Sequence, residues 1–67
     1  MRLWLLVILT LNVQPYGWEI EGHSFSNLNE CRTIASEIND KQNYRNEEAN
    51  KTNELVLEQV YAWCEKN

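Results

Sequence analysis

Apolar residues are distributed along this chain in blocks of different period, and each block predicts a different element. The first, Leu3 to Val13, is nearly continuous and directly follows Met1 and Arg2. It falls short of the roughly 20 residues needed to cross a bilayer as a helix. With a positive charge ahead of it, it has the charged and apolar regions of a secretory signal. Cleavage is expected after Gly17, although Pro15 occupies a position where a small residue is preferred. The alternatives are an uncleaved membrane anchor, with Gln14 to Trp18 at the lipid interface where Trp and Tyr are favoured, and a core helix of a cytosolic protein. The expected organisation is therefore a leader or short anchor over 1–17 and one small exported domain over 18–67.

Trp18 to Gly22 alternates apolar and polar residues briefly, as a short strand or extended lead-in does. Leu28, Cys31, Ile34, Ala35 and Ile38 then recur at helical spacing on one face. Ser26 or Asn27 is placed to cap this helix, and Asn27 with Glu30 approximates a capping box. Asn39-Asp40 is a plausible end. From Asn39 to Asn53 the only large apolar residue is Tyr44, which predicts a long loop or a solvent-exposed helix. The last block, Val56, Leu57, Val60, Tyr61, Trp63 and Cys64, forms a broad stripe that predicts a second helix from Thr52 or Asn53 to Glu65. Val60 to Cys64 also holds strand-prone residues, but alternation is interrupted at Ala62.

These elements predict a small all-α fold, an antiparallel helical hairpin with a short extended lead-in. A hairpin brings Cys31, near the start of one helix, beside Cys64, near the end of the other. A small α+β alternative, strand, helix, strand, with Trp18 to Gly22 beside a strand ending at Cys64, would bring the cysteines together equally well. Two cysteines in a short exported chain predict one disulfide and an oxidising location, periplasmic or secreted. A domain of about fifty residues buries too little surface to be stable on its core alone, so the bridge is expected to be structurally required.

Charge narrows the partners. Without Arg2, five cations oppose ten carboxylates, a net charge of −5. Nucleic acid is a poor partner for such a chain, since phosphate binding needs clustered Lys and Arg. Nine asparagines make the middle polar without charging it. Asn50-Lys51-Thr52 matches the acceptor pattern for N-glycosylation, making Asn50 a possible modification site.

Catalytic chemistry is not indicated. His23 is the only histidine, and it lacks the nucleophile and orienting group that a hydrolytic site requires. Glu19, Glu21 and His23 alternate so that all three face one side of a strand, yet two carboxylates and one imidazole make only a weak, open metal site. No metal, cofactor or enzymatic activity is therefore expected. The aromatic residues Trp18, Phe25 and Trp63 remain as candidate anchors for a protein partner. The expected function is a small exported, disulfide-stapled interaction protein that binds or modulates an envelope or extracellular protein through an aromatic and acidic face. The alternative is a membrane-anchored regulatory or membrane-active peptide that keeps its leader.

Overall fold

A computed structural model describes residues 3–67; Arg2, the charge expected to open an export signal, lies outside them. The chain folds as α+β, with strands β1 (Trp4–Val13) and β2 (Tyr16–Phe25), helix α1 (Leu28–Lys51) and strand β3 (Glu58–Lys66). The sheet order is β2-β1-β3, with both pairings antiparallel. The helical hairpin is thus incorrect: the segment expected to be a second helix is β3. The strand, helix, strand alternative has the right class but the wrong neighbours, because β1 separates β2 from β3.

The error at β3 has a physical cause. Val60, Ala62 and Cys64 point toward the helix side of the sheet, while Tyr61 and Trp63 point to the opposite side. Both faces of the strand are apolar, so its period of two is hidden, and Ala62 is a small core residue rather than a break in alternation. The same reasoning applies to Leu3–Val13. A central strand with apolar neighbours on both faces reads as one continuous run.

Helix α1 begins as expected, with the Asn27 side chain accepting from the backbone N–H groups of Asn29 (2.8 Å) and Glu30 (3.3 Å). It continues through the asparagine-rich middle to Lys51, so Asn39-Asp40 is not its end. Termination comes at Asn53, which adopts a left-handed φ of 56°. The Glu54 N–H then reaches the Ala49 carbonyl (2.9 Å) and the Asn53 N–H the Asn50 carbonyl (3.5 Å), the paired bonds of a Schellman cap. Asn53, expected near the start of a helix, closes one instead.

The core lies between α1 and one half of the sheet. Leu6, Cys31, Ala35 and Ala62 are buried there, surrounded by Trp4, Ile8, Phe25, Ile34, Ile38 and Cys64. The expected Cys31–Cys64 disulfide is formed across this cluster. It ties the first turn or two of α1 to the end of β3.

Helix α1 packs chiefly against β3, with lighter contact to β1 and β2. Its amide side chains bond along the outer edge of that strand. The Asn39 Nδ2 donates to the Ala62 carbonyl and its Oδ1 accepts from the Ala62 N–H, both at 2.9 Å. Buried Gln42 repeats the pattern one step along, donating to the Glu58 carbonyl and accepting from the Val60 N–H, both at 3.1 Å. Asn46 and Gln59 exchange reciprocal amide bonds at 3.0 Å. An edge strand presents unpaired backbone groups that invite foreign strands. Here side-chain amides meet those groups as a neighbouring strand would.

Candidate protein-interaction surface

Strand register divides the sheet into two unlike faces. On the helix side, Trp4, Leu6 and Ile8 of β1 align with Phe25, His23 and Glu21 of β2 and with Lys66, Cys64 and Ala62 of β3. The opposite face carries Leu5, Val7, Leu9, Leu11 and Val13 from β1, flanked by Tyr16, Trp18 and Ile20 from β2 and by Tyr61 and Trp63 from β3. No element of the described chain covers this second face. Tyr16 is 89% exposed, Trp18 63% and Ile20 56%, whereas Val7, flanked by Gly22 and Trp63, is buried.

The relief of the open face follows from the side chains in each row. Beside Val7, β2 offers only Gly22 and β3 offers Trp63; beside Leu11, β2 offers Trp18 and β3 offers Gln59. The Gln59 amide is bonded to Asn46 of the helix, which draws it around the sheet edge. In the Leu11 row the surface thus has one bulky and one low position, whereas in the Val7 row Trp63 stands opposite a glycine whose free space the Leu5 side chain fills, 3.1 Å from where a Cβ would sit. Among the described residues of the three strands, Glu65 is the only charged one on this face, and it accepts a hydrogen bond from Trp63 Nε1 (2.8 Å).

Two of the three expected anchors, Trp18 and Trp63, therefore share one surface. Phe25 does not: it is half-buried, aligned with Trp4, and packs against the core cluster. The expected union of aromatic and acidic groups also separates, since Glu19 and Glu21 lie on the helix side of β2. Sequence reading missed Tyr16, Ile20, Leu9, Leu11 and Tyr61 as members of the surface. Their alternation with polar neighbours was a usable signal in β2, but the continuous run in β1 concealed which residues faced outward.

Glu19, Glu21 and His23 do share a face of β2, and His23 Nε2 meets Glu21 Oε2 at 3.0 Å. Both partners are exposed, and no group of three or more His, Cys, Asp or Glu residues suited to holding a metal ion occurs among the described residues. Asn50 is exposed in the last turn of α1. Thr52, the third residue of its acceptor pattern, directs its hydroxyl to the Glu48 and Ala49 carbonyls. No described helix is long and apolar enough to cross a membrane. Comparison of the chain with protein-family models, curated sequences and solved structures gives no match.

Proposed function

We propose that this is a small, disulfide-stapled interaction protein that works in an oxidising compartment, periplasmic or secreted, and binds a protein partner through the open face of its sheet. One observation carries the reading: a contiguous apolar face, with Trp18 and Trp63 among its side chains, is left without cover in so small a chain. Monomeric proteins rarely leave apolar patches of more than a few hundred Å² in water unless the patch binds something. Aromatic rings on a rigid strand supply large contact area at low entropic cost, the usual chemistry of interface anchors. The disulfide supports the compartment, because such bridges persist where thiols are kept oxidised.

In this reading the functional form retains residues 3–17, since β1 is the centre of the sheet and contributes Leu5, Val7, Leu9, Leu11 and Val13 to the surface. Photo-crosslinking from position 18, with position 44 as a control on the exposed side of α1, tests it. A protein adduct from position 18 and none from position 44 is expected. Equal labelling from both positions would exclude the open face as the binding surface. Intact mass of the exported protein, with and without reduction before alkylation, checks the compartment and the retained segment together.

A further inference from the structure

We infer that the partner on the open face is a second copy of this chain, packed sheet against sheet about a two-fold axis parallel to the strands. The inference rests on the reading of that face as an interaction surface and names what occupies it.

Area is the first argument. Given that a large aromatic side chain can bury roughly 150–250 Å², the exposed fractions of Tyr16, Trp18, Ile20, Leu11, Val13, Tyr61 and Trp63 leave about 800 Å² open to a partner. A standard interface buries about 800 Å² from each side. The face is thus large enough for a stable complex without recruiting another surface.

Shape is the second. A two-fold parallel to the strands keeps each row opposite itself and lays β2 of one copy over β3 of the other. The register then sets Trp63 over Gly22 and the Leu5 side chain that covers it, Trp18 over the low position at Gln59, and Ile20 over Tyr61. Bulky meets low in the Leu11 row, the two Trp contacts lie on either side of the Leu9 row, and the operation repeats each contact twice, as an isologous interface requires. Sheets stacked in this way lie about 10 Å apart with strands offset by about 30°, which suits side chains of this size.

Charge is the third. The only carboxylate in these rows, Glu65, falls opposite Ser24, whose hydroxyl can donate to it. Neither Lys nor Arg projects from the strands on this face, and the whole chain carries a net charge of −4, so nothing there attracts an anionic lipid surface. A second copy meets the face without burying like charges against one another.

Sedimentation of the oxidised full-length chain over a micromolar concentration series tests the inference, alongside Trp18→Glu and, as a second exposed position, Ile20→Glu. The expected result is a reversible dimer that either variant weakens by about tenfold or more, the scale of an anchor residue, with circular dichroism unchanged. Mixed isotope-labelled and unlabelled protein should show contacts between the Trp63 ring of one copy and Gly22 of the other. Trp18 contacts to Gly22 would overturn the parallel arrangement, and a dimer indifferent to both variants would overturn face-to-face packing. A monomer that binds an apolar dye, with binding lost in Trp18→Glu, would overturn self-association and leave the interaction surface standing. A monomer that binds no dye would overturn both readings, as would a monomer that co-sediments with phosphatidylcholine vesicles.

Discussion

Replacing Asn39 with alanine removes the amide that meets both backbone groups of Ala62. Each bond is 2.9 Å long, and Ala62 is only 7% exposed. A buried donor or acceptor left without a partner costs about 1–3 kcal/mol. Water reaches part of an edge strand, so the lower end of that range applies to each group, and the loss totals about 2–3 kcal/mol. Alanine returns roughly 0.5 kcal/mol through better helix propensity. The net destabilisation expected is about 2 kcal/mol, a large fraction of what a chain this small holds. Asn43→Ala, an exposed site on the same helix, gains the propensity and loses no bond to β3. Urea denaturation should separate the two variants by about 2–3 kcal/mol, the shared propensity gain cancelling, with no change in m-value. Hydrogen exchange at Ala62 provides a local reading, and its protection in Asn39→Ala should fall by about 30-fold, the factor that corresponds to 2 kcal/mol. Stabilities within 0.5 kcal/mol of one another, together with unchanged exchange at Ala62, would refute the claim that helix amides complete the strand edge.

Three further outcomes follow from the packing. A chain of residues 18–67 should lose its sheet, because β1 is the only neighbour of both other strands; protease resistance and circular dichroism matching the full chain would contradict that. Leu6→Ala, at a site 2% exposed, should cost about 2.5–4 kcal/mol in denaturation experiments. Cys64→Ser opens a loop with a sequence separation of 33 and should lower stability by about 3–4 kcal/mol in the chain-entropy model; unchanged protease resistance would show that the staple is dispensable.

Elements with one polar face were legible in the sequence, and those without one were misread. The start of α1 was clear because Asn27 caps it and Cys31, Ile34, Ala35 and Ile38 repeat at helical spacing toward the core. Its second half was obscure because Asn39, Gln42 and Asn46 continue the inward stripe with amides, which hydropathy scores as surface. β3 was mistaken for a helix because Tyr61 and Trp63 are apolar on the side where a sheet facing water would be polar. The disulfide was readable, since its cysteines meet in several folds, and for that reason it could not select among them. Of the surface, Trp18 and Trp63 were found by residue type alone. Their shared face required the register of β1 between them.

The covalent ring closed by Cys31 and Cys64 contains nearly all of α1 and most of β3 but neither strand of the β1–β2 hairpin. Cutting the short link between Phe25 and Leu28 would therefore leave two pieces, one a ring-closed helix and strand, the other a hairpin whose first strand belongs against β3. What joins them is hydrogen bonding and the side chains around Leu6 and Ile8. The molecule is in this sense a receptor and an inserted hairpin that happen to share one chain, and mixing the two pieces should rebuild it.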